Sequence, residues 1–184
     1  KPSTEILRDF EIAIHHKQLT EVGGDYYDFF KLPGGRHGIA LYDISGHGVN
    51  SALLSGMVKT LAAPLTAAGL APGQVLSGLD TAIEQYFPEG YFCTGFYAIL
   101  DESTGAFEFA GVGHPPALLV GPGGVRAIES EPGLLGVGMV GDLASSSGRL
   151  EPGESLLIYT DGLPDAMDPA DAMFGTDRIK ALLE

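Results

Sequence analysis

Three apolar runs in this chain each end on an aspartate beside glycine or another small residue: Val22-Gly23-Gly24-Asp25-Tyr26-Tyr27-Asp28, Tyr42-Asp43-Ile44-Ser45-Gly46-His47-Gly48 and Tyr159-Thr160-Asp161-Gly162. In each, strand-like residues stop, a small residue lets the backbone turn tightly, and a carboxylate is left at the tip. Any one of these aspartates is as readily a turn residue bonding its own backbone. Three in one fold are a different matter. Two carboxylates about 4 Å apart repel by on the order of 4 kcal/mol at an effective dielectric of about 20, so such a cluster calls for a proton or a cation among them. Oxygen-only donors favour Mg²⁺ or Mn²⁺ over zinc.

The periodicity of the rest predicts how the tips are carried. Residues 10–16 alternate around Ile12 and Ile14, residues 26–32 are aromatic-rich, and Pro33-Gly34-Gly35 turns the chain into a return strand over 36–43. Val49, Ala52, Leu53, Gly56, Met57, Thr60, Leu61, Leu65 and Ala68 then make one helical stripe of apolar and small residues. Pro64 predicts a kink or break near Thr60. A second helix is expected over 74–86, with Val75, Leu76, Leu79 and Ile83 on its buried face. Strands follow at 92–100, 106–112, 116–120, 125–128 and 155–159, while 144–148 reads as a loop of small polar residues. A last helix begins at Thr176, read as its cap. Strands, then helices, then strands give an α+β layering, and most links are too short for crossovers, so antiparallel pairing is expected.

Composition narrows the partners. The 184 residues suit a single domain, and 24 acidic against 10 basic residues leave a net charge of -14. That balance argues against a nucleic-acid or anionic-membrane surface, so charge that holds a phosphate must be local, with metal the natural source. One cysteine, Cys93, excludes an internal disulfide and suits a reducing compartment, which makes the expected location cytoplasmic. No run of 18 apolar residues spans a bilayer, and the start at Lys1 suggests a piece of a longer polypeptide.

Five segments in order resemble the PPM-type serine/threonine phosphatases, in particular the bacterial branch of sporulation and general stress signalling. They are Glu21-Val22-Gly23-Gly24-Asp25-Tyr26-Tyr27-Asp28, Asp43-Ile44-Ser45-Gly46-His47-Gly48, Gly113-His114-Pro115-Pro116, Leu134-Leu135-Gly136 and Tyr159-Thr160-Asp161-Gly162. The resemblance implies a four-layer α-β-β-α sandwich, two antiparallel sheets with helices outside, and two Mn²⁺ or Mg²⁺ ions at one edge. It implies that Asp43 bridges both metals, that the Ile44 carbonyl is a further ligand, and that Asp25 and Asp161 each hold one metal directly or through water. Two such ions activate a water and clamp the phosphoryl oxygens, so no protein nucleophile is needed. The implied substrate is a phosphorylated regulatory protein, a STAS-type anti-sigma-factor antagonist, and a sensory domain is expected upstream in the same chain. A pseudophosphatase that binds a phosphoprotein without turnover is the rival reading, and a phosphatase of small molecules a third.

The chain departs from the family pattern in places. Eukaryotic relatives have Asp-Gly-His-Gly, with the histidine proposed as general acid; His47 stands two residues further from Asp43, so acid catalysis and a loop hydrogen bond are both open for it. The family's phosphate-gripping arginine has no match beyond Lys17 as a candidate, and substrate-binding residues stay unassigned. The family also continues into a helix and a strand bearing another metal-binding aspartate, which this sequence does not include. Asp28 is expected on the opposite strand face from Asp25, Asp165 and Asp168 as solvated loop acids, and His114 as a turn-fixing residue. His15 and His16 face opposite sides, and no partner is evident for His37. Cys93 reads as a core residue, and Gly136-Val137-Gly138-Met139-Val140-Gly141 lacks the strand and helix a dinucleotide fingerprint needs. An acidic enzyme meeting an acidic phosphoprotein should associate faster as salt screens their repulsion. Stopped-flow or initial-rate measurements should therefore show kcat/KM rising with moderate salt; a monotonic fall contradicts this.

Overall fold

The structure, a computed structural model, describes residues 3–6, 10–18 and 22–184. Glu21, the first residue of the resemblance, lies outside them. A short hairpin of β1 (Ser3–Ile6) and β2 (Glu11–Ile14) opens the chain. A five-stranded antiparallel sheet follows, ordered β3-β4-β5-β6-β9, from β3 (Tyr26–Leu32), β4 (Arg36–Ile44), β5 (Cys93–Asp101), β6 (Ala106–Val112) and β9 (Ser146–Arg149). A three-stranded antiparallel sheet, ordered β10-β7-β8, is built from β7 (Ala117–Gly121), β8 (Gly124–Ile128) and β10 (Ser155–Leu157). The helices are α1 (Val49–Ala67), α2 (Pro72–Tyr86) and α3 (Thr176–Leu183).

Strand alternation stacks these elements into layers. On β5, Cys93, Tyr97 and Ile99 pack with Val58, Ala62, Leu76, Leu79 and Ile83 of the two long helices. The alternate residues Phe96, Ala98 and Leu100 pack against Ala117, Leu119 and Ile128 of the small sheet. The far face of the small sheet, through Leu118, Val120 and Leu157, meets Ile179 and Leu183 of α3. The order is therefore helices, sheet, sheet, helix, the α-β-β-α sandwich that the resemblance implies. A period of two is the cause: each central strand offers one apolar set to each neighbouring layer.

Four local expectations need correction. α1 runs unbroken through Pro64. The proline sits in the last turn, where it removes one ladder bond, and the chain beyond it still closes through Ala68 N–H to the Pro64 carbonyl at 3.1 Å. The buried face of α1 is Ser51, Leu54, Val58, Ala62 and Thr66, not the stripe expected from the sequence, and Val49 and Leu53 are exposed at 65% and 67%. A helix that is apolar or small nearly all round carries little directional signal, so the stripe is offset from the buried face, with Met57, Leu61 and Leu65 packing partly against the core. Residues 146–149 form β9, paired with β6, because polar Ser146 and Ser147 occupy an edge with an exposed face. α3 does begin at Thr176, but its cap is Gly175, with φ 78°.

The second helix holds to expectation. Pro72 stands at its first position, Gln74 reaches back to the Ala71 N–H at 3.1 Å, and Val75, Leu76, Leu79 and Ile83 are fully buried. Leu79→Ala should cost about 2–5 kcal/mol, because a fully buried side chain leaves a cavity. Lys59→Met should cost less than about 1 kcal/mol, because the Lys59 side chain is 61% exposed although it pairs with Asp28 at 3.1 Å. Urea denaturation of both variants measures the contrast; equal losses would contradict the layering.

Candidate active site

The same alternation aims the aspartates. On β4, Ala40, Tyr42 and Ile44 face the helices, so Asp43 points to the side turned toward the small sheet. Tyr26 pairs with Tyr42 and its ring packs on the helix side, so Asp25, one residue earlier, falls beside Asp43 on the opposite side. Asp161 arrives from the other sheet, four residues past the end of β10, through buried Tyr159. The three carboxylates meet at the rim where the two sheets open.

Their electrostatics follow from that meeting. Partial burial, then the charges of Asp25 and Asp161, raise the Asp43 pKa from 3.8 to about 7. Thr160 donates its hydroxyl to Asp25 Oδ2 at 2.9 Å, which ties the segment of Asp161 to the start of β3. A proton on Asp43 is one remedy for this crowding, and a divalent cation is the other. The donor set fits a hard cation: carboxylate oxygens, a hydroxyl, and the Ile44 carbonyl at the end of β4. Among the described residues no three Asp, Glu, His or Cys side chains stand as a closed coordination set. A hydrated ion that keeps several of its waters needs no such set.

Gly24 makes the approach possible. A Cβ there would lie 2.4 Å from the Ile44 carbonyl oxygen, so only glycine lets the loop before β3 press against the end of β4. The sequence singled out Gly24 as a turn residue; the close approach is visible only in three dimensions. Thr160 and Thr94 were not picked out either. Thr94 is the cross-strand partner of Asp43, a relation that sequence cannot give without the register.

The other candidates fall as follows. His47 is exposed between Gly46 and Gly48, both at positive φ, and makes no hydrogen bond or ion pair with the described residues. Lys17 is exposed and forms no salt bridge with the aspartates among the described residues. Asp28 lies on the helix side, pairing with Lys59 and bonding the Tyr26 hydroxyl, which matches its expected face. Asp168 accepts from the Ala170 and Ala172 N–H groups in a loop, and Asp165 is exposed. His37 does have a partner, Glu102 at 2.9 Å. His15 and His16 are both exposed. Cys93 is fully buried and burial pushes its thiol far up, which suits a core residue. Residues 136–141 form a turn followed by irregular chain and β9, with no helix.

The profile of the family described as Stage II sporulation protein E (SpoIIE) matches residues 33–184. The chain belongs to the SpoIIE family. It is 30% identical over 179 residues to the phosphoserine phosphatase RsbP of Bacillus subtilis, covering 92% of this chain and 43% of RsbP. It is 30% identical over 166 residues to the phosphoserine phosphatase RsbU of the same organism, covering 89% of this chain and 48% of RsbU. The chain thus spans about half the length of these curated relatives. The RsbU and RsbW domains of Rv1364c from Mycobacterium tuberculosis superpose with a TM-score of 0.76 at 30% identity, covering 90% of this chain and 46% of that one. The PPM-type resemblance and the sandwich are both borne out. No helix among the described residues is long and apolar enough to cross a membrane.

The raised pKa of Asp43 has a sign in stability. Between its ordinary 3.8 and about 7 the folded chain holds a proton that the unfolded chain releases, so this group's contribution falls as pH rises. In chelator-treated protein, the wild type should lose stability relative to Asp43→Asn from about pH 4 to about pH 7. Urea midpoints across that range measure it; parallel curves would contradict the crowding.

Proposed function

We propose that this SpoIIE-family domain is a metal-dependent phosphoserine/phosphothreonine protein phosphatase. The observation that carries the reading is the convergence of Asp25, Asp43 and Asp161 at one rim, where burial, and then the charges of its two neighbours, raise the Asp43 pKa to about 7. In this reading Asp43 would hold both of two Mn²⁺ or Mg²⁺ ions, the Ile44 carbonyl would add a ligand, and Asp25 and Asp161 would each hold one ion directly or through water. When bound, the ions supply an acidified water and charge neutralisation at the phosphoryl oxygens. The chain's own part is to aim the oxygens: Thr160 fixes Asp25 by its hydrogen bond, and Gly24 lets the two strand tips meet. His47, exposed and without a competing hydrogen bond among the described residues, is available to give a proton to the departing serine or threonine oxygen.

The names of RsbP and RsbU support a phosphoserine substrate; the proposed target is a phosphorylated regulatory protein, a STAS-type anti-sigma-factor antagonist. Because the domain spans about half of those relatives, a sensory domain in the same polypeptide and a cytoplasmic location belong to this proposal as well. A specific observation favours a second reading, a pseudophosphatase that binds without turnover. No lysine or arginine acts on Asp43, and Lys17 stands exposed and forms no salt bridge with it, so no phosphate-gripping cation is identified among the described residues.

Mn²⁺ at a hundred times its Kd should stabilise the wild type by about 2.7 kcal/mol. Asp43→Asn should abolish both that gain and Mn²⁺-dependent hydrolysis of p-nitrophenyl phosphate, while the variant stays folded by circular dichroism. Unchanged turnover in the variant removes the mechanism. Calorimetric Mn²⁺ binding without hydrolysis of any phosphopeptide selects the second reading.

A further inference from the structure

His114 is buried to 4% exposure in the link 113–116, where the chain leaves β6 of the large sheet and enters β7 of the small one. The link is held rigidly. Gly113 N–H donates to the Glu131 carbonyl at 2.8 Å, and at φ 60° a Cβ on Gly113 would lie 2.2 Å from the Gly133 carbonyl oxygen. Pro115 and Pro116 fix the exit. From this platform the imidazole reaches the large sheet beside Asp43. Its Nδ1 is 3.0 Å from Thr94 Oγ1, and Thr94 lies directly across the ladder from Asp43. Its Nε2, on the other side of the ring, is buried without a hydrogen-bond partner among the described residues. Burial lowers the pKa of this ring to about 4, so it stays neutral and can keep one nitrogen as donor and the other as acceptor.

We propose that His114, tying the link between the sheets to Thr94 beside Asp43, is a positioning residue that sets how far Asp161 stands from Asp43. This inference rests on reading the three carboxylates as the active site. One sheet carries Asp25 and Asp43 and the other delivers Asp161, so their spacing depends on whatever locks the sheets together at this rim. Thr160 does so from Asp25; His114 does so from behind Asp43.

The test uses His114→Phe, which keeps a ring but removes both nitrogens, Thr94→Val, which removes only the hydroxyl, and His114→Asn, which keeps a polar group near the Nδ1 position. Amide hydrogen exchange is followed in metal-free protein, and the Mn²⁺ half-saturation concentration is read from thermal shifts. In His114→Phe and Thr94→Val, amides 159–162 should exchange faster while the β4–β5 ladder keeps its protection. The Mn²⁺ half-saturation should rise on the order of tenfold, with partial recovery in His114→Asn. Unchanged exchange at 159–162 overturns the proposal, and so does faster exchange with an unchanged half-saturation, which leaves His114 as packing. If His114→Phe does not fold, Thr94→Val carries the same comparison. A wild type with no response to Mn²⁺ defeats the active-site reading, and the exchange measurement then decides the link between the sheets by itself.

Discussion

Like charges forced together must be held there by something stronger than their repulsion, and the sandwich is built around that constraint. Asp25 and Asp43 stand on neighbouring strand ends of one sheet, and Asp161 comes from the other. Burial, and after it the charges of Asp25 and Asp161, raise the pKa of Asp43. What opposes the repulsion is two buried layers. The helix side of the large sheet is closed by the fully buried faces of α2 and α1, and the side between the sheets by Phe96, Ala98, Phe107 and Leu119. The cost of crowding is thus borne by hydrophobic packing that lies away from the carboxylates.

The long helices are anchored unequally. α2 is fastened to the segment that follows β8 by Gly136 N–H to Asp80 at 2.6 Å, Leu143 N–H to the Ser77 hydroxyl at 2.9 Å and Gly73 N–H to the Ser145 hydroxyl at 2.9 Å. These bonds satisfy a buried acid and two loop amides at once. α1 relies on packing, on the exposed Lys59–Asp28 pair and on Lys59 lying 5.7 Å from the Tyr26 ring centroid. Its outward side leaves Leu53 beside Met57, Leu61 and Tyr86 in an open apolar groove.

Much of this was legible in the sequence, for identifiable reasons. β4 and β5, nearly continuous apolar runs bounded by turn residues, appear where they are expected, and so does the one-sided helix α2, whose single apolar face leaves no choice of orientation. The aspartate tips were legible because tight turns need glycine and the carboxylates follow it in fixed order. The orientation of α1 was not, since its apolar residues encircle it. β9 was not, since a polar edge strand looks like a loop until β6 lies beside it. Thr94, Thr160 and His114 depend on register and on contact between the two sheets, which no local pattern encodes. The partner of His37, Glu102, stands 65 residues away and was invisible for the same reason.

Gly24 shows what that kind of hidden constraint implies for this family's members. With the Ile44 carbonyl oxygen 2.4 Å from where its first side-chain carbon would sit, the position admits a hydrogen atom and nothing larger. It contributes no charge, no proton and no ligand, yet it is as restricted as the acids it brings together. Catalytic inventories that rank residues by reactivity will pass over it, and variation at this position will reveal geometry where they look only for chemistry.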